Sequence, residues 1–269
     1  LQKYDYSYGT VDLATGSVNP NLNNGKLGKI DSWIGTNKQW SQSFDYDPLG
    51  RLKEIREYKQ GDNAQLTYKQ VFDFDRFGNL YRKEQNNPTS GQENPLPYTP
   101  IEEGHISKLT NRLTIGTTYD DAGRVVTDGK FRSMGFEYDA NGRQVKALRT
   151  TLPDAWSVYD ALGNRVGTKI NNVWQYVIYD AFGNVVAEYG MPPEGPGGVK
   201  HAQQDWQGSV RTLTNTNGFV VGRTDHQPFG EEIGYSVGLR NIDQGYSVSK
   251  VARQNYGLTE RDDATGMGH

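Results

Sequence analysis

Short runs of alternating polar and apolar residues, cut at regular intervals by Asp and Gly, organise this chain. Across Arg51 to Tyr58 the residues Leu52, Glu54, Arg56 and Tyr58 alternate with Arg51, Lys53, Ile55 and Glu57, the period-two pattern of a strand packed on one face. No stretch keeps apolar spacing of three and four over about 11 residues, so no helix is expected. The cuts share one form. A Tyr or Phe is followed by Asp, two variable residues, Gly, and then Arg or Asn. The copies start at Tyr46, Phe74, Tyr119, Tyr138, Tyr159 and Tyr179, and the last four begin 19, 21 and 20 residues apart. Self-similarity at a fixed period means one supersecondary unit laid down repeatedly.

The residue types fit a tight reversal. Asp at the first corner of a type I turn accepts backbone N–H groups one or two residues on, and Gly suits the fourth corner, where positive φ is needed. Each Asp-x-x-Gly is therefore expected to be a hairpin turn with a bulge at Gly, the aromatic before it ending the incoming strand. Asp47, Asp75, Asp120, Asp139, Asp160 and Asp180 are the expected turn caps, and Gly50, Gly78, Gly123, Gly142, Gly163 and Gly183 the positions of reversed φ.

With their flanks, these repeats resemble the RHS or YD-repeat family. Asp205-Trp206-Gln207-Gly208-Ser209-Val210-Arg211, with Asn217-Gly218 and Pro228-Phe229-Gly230-Glu231, is similar to the family's signature near the end of its repeat array. Thr259 to Gly266 resembles the stretch that follows, and Lys108 to Leu113 resembles a linker between repeats. On this basis residues 1–269 read as one repeat domain: 1–43 match weakly, 44–189 hold the clear repeats, and 200–269 form the array end. The resemblance implies an all-β array of antiparallel hairpins wound into a shell or spiral sheet, which in toxin members encloses an effector. Asp205, Gly208 and Arg211 then join the structural residues. There are departures. His226-Gln227 stand where the family has Tyr-Asp, so that turn is expected to lack its cap. The family's self-cleaving core, expected after Gly266, is not carried onto any residue; either the chain is a fragment of a longer polypeptide or it does not use that core.

Composition adds limits. Hydrophobic residues make up 34% and mean hydropathy is -0.79, which points to a thin core between wetted sheet faces. With 29 basic and 32 acidic residues mixed along the chain, nothing marks a nucleic-acid partner. No apolar run approaches the ~18 residues of a membrane span. Cys is absent, which excludes disulfides and thiolate chemistry. Leu1 is not a natural start, so the chain is expected to be a mature or trimmed product, exported to the cell surface or beyond it and of bacterial type. Breaker-rich loops are expected at 86–100 and 190–198.

Catalytic signatures are missing. His105, His201, His226 and His269 show no zinc spacing, and Ser209 reads as part of a turn rather than a nucleophile. Asp45 with Asp47, and Asp73 with Asp75, could ligate calcium, but capping and solvation account for them. The expectation is a structural protein without enzyme activity or cofactor, whose partners are copies of itself, joined head to tail at sheet edges, or the rest of a longer RHS polypeptide. The other class is a carbohydrate-binding or adhesive module, with Trp33, Trp40, Trp156, Trp174 and Trp206 as stacking surfaces for a glycan. Because a β-branched residue resists positive φ while a lost cap costs about 1 kcal/mol, Gly163→Val is expected to destabilise more than Asp160→Ala. Denaturant melts check this, and equal losses would contradict the turn assignment.

Overall fold

The computed structural model describes residues 2–59, 65–86, 102–183, 185–190, 199–246, 254–257 and 259–260. The segments 87–100 and 191–198, Asn184, and everything after Glu260 lie outside the described residues. Packing groups the chain into two compact units. Unit 1 comprises Leu1–Glu103, Lys200–Gln204 and Val210–Val251; unit 2 comprises Gly104–Val199, Asp205–Ser209 and Ala252–His269. Both are built of antiparallel strands, and among the described residues the only helical elements are the 3-10 turns Pro20–Leu22 and Ile242–Gln244.

In unit 1 the strands are β1 (Gln2–Tyr8), β2 (Thr10–Asp12), β3 (Ser17–Asn19), β4 (Leu27–Ile34), β5 (Asn37–Tyr46), β6 (Leu52–Lys59), β7 (Leu66–Phe74) and β8 (Leu80–Asn86). Six of them form a sheet in the order β1-β4-β5-β6-β7-β8, while β2 and β3 pair as a separate hairpin. In unit 2, β9 (Thr117–Tyr119), β10 (Val125–Asp128), β11 (Met134–Tyr138), β12 (Gln144–Arg149), β13 (Ala155–Tyr159), β14 (Arg165–Ile170), β15 (Val173–Tyr179) and β16 (Val185–Tyr189) make an eight-stranded sheet in strict sequence order. Such a meander needs only short connections, which is what a repeated tight turn provides. The chain then returns to unit 1 with β17 (Lys200–Gln204), β18 (Val210–Asn215) and β19 (Val220–Arg223), and β20 (Gln254–Tyr256) pairs with β21 (Thr259–Glu260) in unit 2.

The repeat turns at Asp47, Asp75, Asp120, Asp139, Asp160 and Asp205 share one geometry. In the first, Asp47 N–H donates to the Arg51 carbonyl at 2.9 Å and Gly50 N–H donates to the Asp47 carbonyl at 2.8 Å. Gly50, Gly78, Gly123, Gly142, Gly163, Gly183 and Gly208 have φ between 80° and 93°. A side chain at Gly163 would have open space around it, so its requirement is conformational rather than steric crowding.

Six residues beyond the turn Asp comes a feature absent from the sequence reading. Lys53 stands unmatched between the pairs Asp45↔Glu54 and Tyr46↔Leu52, and Val126, Val145, Val166, Val186 and Arg211 stand likewise in their hairpins. Only in β8 does the unmatched residue come later, at Lys83. Each bulge reverses the alternation that follows it. Leu52 and Ile55, three residues apart, accordingly share one cluster, whereas unbroken alternation sets them on opposite faces.

The unit 1 core consists of Ile30, Trp40, Phe44, Ile55, Tyr68 and Phe72, with Tyr4, Tyr6, Leu27 and Leu80 among the residues packed against it. Unit 2 has a thinner core of Phe136, Ala147 and Ala155, lined by Val125, Met134, Tyr138 and Ile170. Ile55 is fully buried and Leu49 is 78% exposed at a turn tip. Ile55→Ala is expected to cost about 2–5 kcal/mol, and Leu49→Ala to stay within about 0.5 kcal/mol, in urea unfolding at equilibrium.

Candidate functional site

Two constructions stand out, and the first is a ladder along the repeat turns. Asp47 Oδ1 accepts the Arg51 backbone N–H at 2.8 Å, and Oδ2 accepts the Arg51 Nε–H at 2.7 Å. Asp120 with Arg124, and Asp139 with Arg143, repeat this arrangement. Asp75 and Asp160 do the same with the carboxamides of Asn79 and Asn164. The arginines then reach forward. Arg124 Nη1 donates to the Asp139 carbonyl at 3.4 Å with its guanidinium 4.9 Å from the Tyr138 ring centre, and Arg143 Nη1 donates to the Asp160 carbonyl at 3.0 Å with its guanidinium 5.2 Å from Tyr159. Arg51 treats Phe74 and Asp75 in the same way, at 4.5 Å and 3.5 Å.

The repeat tyrosines reach backwards. Tyr138 and Tyr159 donate their hydroxyls to the carbonyls of Val125 and Gln144, both at 2.8 Å, and Tyr179 donates to that of Arg165 at 3.3 Å. Tyr138 and Tyr159 thus each take a cation on the face and hold the preceding hairpin through the oxygen.

The linker-like segment begins the unit 2 ladder. Ser107 N–H donates to the Arg112 carbonyl, Asn111 N–H donates to the Ser107 carbonyl, and Asn111 has φ of 55°. Ser107 and Asn111 occupy the places of Asp and Gly in a worn repeat, and Arg112 lies 5.0 Å from the Tyr119 ring centre. Asp180 Oδ1 caps Phe182 N–H at 2.8 Å, and Asp205 Oδ1 accepts N–H groups from Gln207 and Ser209.

These bonds set the acidity of the turn carboxyls. Backbone donation from Arg124 and Arg143 holds Asp120 and Asp139 below the usual range, and the Asn164 carboxamide does so for Asp160. At Asp75 burial pushes upward, but Asn79, Phe77 and Tyr81 outweigh it and bring the carboxyl to about 2.

The second construction is a buried charge lattice within unit 1, formed where the segment after β19 lies on the six-stranded sheet. Arg240 donates to both carboxylate oxygens of Glu57, at 2.7 and 2.8 Å, and through Nε to Asp225 Oδ2 at 2.8 Å. All three side chains are excluded from solvent. Trp40 Nε1 and the Tyr246 hydroxyl donate to Asp225 Oδ2 at 3.1 and 2.9 Å, and Arg211 stands 3.6 Å from Oδ1. Gln42 Nε2 and Thr67 Oγ1 complete Glu57. Alongside, Gln70 donates to Gln227 at 2.7 Å, Arg82 pairs with Glu231 at 2.7 Å, and Phe229 meets Phe72 edge to face.

Burial pushes the Asp225 carboxyl up, but Arg240 and Arg211 overcome this and hold it below the usual range. Burial likewise works against the charged Arg240, and Glu57 with Asp225 raise it well above its ordinary value. Tyr4 and Tyr246 are raised by burial and by Asp225, so both remain neutral donors.

Of the residues expected from sequence, Arg211 and Trp40 enter the lattice; Glu57, Asp225 and Arg240 were not singled out. Glu57 carries a faint signal, two places after buried Ile55 on one strand. The turn with Gln227 in place of Asp keeps the repeat geometry without that cap: Gln227 N–H donates to the Glu231 carbonyl at 2.6 Å, Gly230 has φ of 95°, and the Gln227 side chain goes to Gln70. Asp45 pairs with Lys53, and the Ser209 hydroxyl accepts the Gly257 N–H. Among the tryptophans, Trp40 is core and Trp33 lies between Lys3 and Lys38, while Trp156, Trp174 and Trp206 remain exposed.

No family model and no curated protein matches the chain. Solved structures do. A TcdB2-TccC3-Cdc42 crystal structure aligns with a TM-score of 0.56 at 16% identity, covering 99% of this chain and 16% of that one. The Photorhabdus luminescens Tc holotoxin pore, with a mutation in TccC3, aligns with a TM-score of 0.53 at 15% identity, covering 100% of this chain and 16% of that one. A likeness at this identity establishes the fold. The chain spans about a sixth of the length of the chains it matches.

Two outcomes follow. Removing Arg240 as Arg240→Met leaves Glu57 and Asp225 as facing carboxylates in a dry site, with an expected loss of about 3–5 kcal/mol by chemical denaturation; Glu57→Gln in the same chain should recover part of it. For Asp47, Asp75, Asp120, Asp139 and Asp160 the folded value lies below the unfolded one of about 3.9, so their contribution is complete above that value and is lost as pH falls through the folded values, about 2 for Asp75. Thermal melts should drop across that window, and Asp75→Asn should flatten the drop.

Proposed function

We propose that this chain is a non-enzymatic structural repeat module, one stretch of the wall of a β-shell made by a longer, exported RHS-like polypeptide. The observation that carries the reading is the ladder itself. Among the described residues the repeat Asp bonds within its own turn, and Arg51, Arg124, Arg143, Tyr138 and Tyr159 bond across to a neighbouring hairpin, which supports a structural role for the repeat. The buried lattice supports it from the other side: its acids and its arginine are dry and mutually bonded, the state of groups that fix a register rather than handle a substrate. The fold shared with far longer Tc toxin chains fits a wall segment. On this reading the partner is the rest of the polypeptide, and the place of action is outside the cell or at its surface.

One observation favours a second reading, a glycan-binding face. Trp174 and Tyr176 on β15 stack at 5.7 Å and 15° beside Gly167 of β14, with Trp156 half exposed on β13, the strand on the other side of β14. Flat aromatic pairs of this kind suit sugar rings.

Size-exclusion chromatography with light scattering, followed by negative-stain microscopy, tests the wall reading against self-assembly. Discrete compact particles of one chain are expected. Long fibres would replace the wall with a filament built head to tail. Retention on immobilised polysaccharide that is lost in Trp174→Ala would establish the second reading.

A further inference from the structure

Asn-Gly pairs occur at 24, 141 and 217, and all three asparagines are exposed. An Asn before Gly is prone to attack itself: with no Cβ in the way, the glycine nitrogen can reach the carboxamide carbon one residue back. The fold treats the pairs differently. Gly142 N–H donates to the Asp139 carbonyl at 3.0 Å and Gly218 N–H to the Asn215 carbonyl at 2.9 Å, so both nitrogens are tied to backbone inside a hairpin turn. Gly25 N–H donates instead to the Asn23 side chain, at 2.8 Å, and Asn23 is itself exposed. Releasing Gly25 takes the rotation of one solvated side chain, whereas releasing Gly142 or Gly218 takes the opening of a turn. The Asn24 carboxamide oxygen also accepts the Lys26 N–H at 3.1 Å. Charge builds on that oxygen when its carbon is attacked, and a backbone donor already faces it. A Cβ placed on Gly25 would meet nothing within 4 Å, so a ring closing there has room.

We propose that Asn24 is a site of spontaneous deamidation in the folded chain, while the turns around Asn141 and Asn217 shield those residues from the same reaction. The Gly25 nitrogen gives its proton to solvent base and bonds to the Asn24 Cγ; the bond from Cγ to the amide nitrogen breaks, ammonia leaves with a proton from water, and a cyclic imide remains. Water then opens the imide. Attack at Cγ restores the main chain with Asp at 24, and attack at the backbone carbonyl carbon gives isoaspartate, which carries the main chain through one extra methylene. Nothing is oxidised or reduced. Either product places a new carboxylate two residues from Lys26, whose ammonium lies 5.3 Å from the Tyr46 ring centre, so the acid competes with the first repeat aromatic for its cation. The extra methylene falls just ahead of β4, which begins at Leu27. The site stands whichever reading of the function holds.

Peptide mapping by mass spectrometry tests it, on the full chain aged in mildly alkaline buffer and digested under mildly acidic conditions. The tryptic peptides Tyr4–Lys26, Ser133–Arg143 and Thr212–Arg223 separate the three pairs. In the folded chain Asn24 should convert about tenfold faster than Asn141 or Asn217, the factor that one turn hydrogen bond supplies. In urea, where the turns are gone, the three should convert at similar rates. Asn24→Gln should abolish the conversion within Tyr4–Lys26 and leave the other two peptides as they are; conversion that persists there would assign the chemistry to another residue and overturn the proposal. Asn141 or Asn217 keeping pace with Asn24 in the folded chain would overturn it as well, and so would an Asn24 that stays intact when folded but converts in urea.

Discussion

A carboxylate accepting the N–H groups of its own turn is the interaction from which the rest of this structure is built. At Asp47, Asp75, Asp120, Asp139 and Asp160 the corner carboxylate satisfies backbone donors that would otherwise depend on water, and in doing so it leaves one oxygen aimed at the residue behind the glycine. That oxygen positions Arg51, Arg124 and Arg143 so that their far nitrogens extend over the next turn. Local satisfaction of the backbone therefore produces a connection between hairpins about 20 residues apart in sequence. A side chain fixed at its root loses little further entropy in making the second contact, so the forward reach comes at small additional cost.

The lattice in unit 1 works in the opposite sense, over long separations. Glu57 and Arg240 are 183 residues apart, and Gln70 and Gln227 are 157 apart. The surface joining the returning segment to the sheet carries amides, carboxylates and guanidinia where a domain core usually carries methyl groups. Apolar surfaces tolerate sliding; fixed hydrogen-bond partners do not, and a displacement of one residue would leave several charges dry and unpaired. The arrangement gives register at some expense in net stability, since a buried pair seldom outperforms well-packed hydrocarbon.

How much of this the sequence made legible follows from range. The turns were readable because their determinants lie within five residues: Asp first, Gly fourth, and Arg or Asn fifth. The all-β, antiparallel class followed from those turns and the two-residue period. The fifth residue was visible as Arg or Asn, but its reach to the following repeat was not, because the direction of a side chain beyond its own turn depends on how hairpins stack. The bulges at Lys53, Val126 and Val145 were hidden for a different reason: Lys and Val are residues that a regular strand also carries, and the unmatched Lys53 moves Leu52 and Ile55 onto one side without altering the composition of the strand. Glu57, Asp225 and Arg240 look like any other charges among 61 until the sheet is folded beneath them.

The worn turn from Ser107 to Arg112 has a wider implication. It hands Arg112 to Tyr119 as an ordinary repeat would, although it has lost both the aspartate and the glycine. The eight-stranded sheet thus carries its own starter rung, made from residues of the same unit. A block of sequence equipped in this way can be copied, lengthened or transplanted during gene rearrangement with its first aromatic already seated, which gives recombination a natural seam just ahead of the four repeats of unit 2.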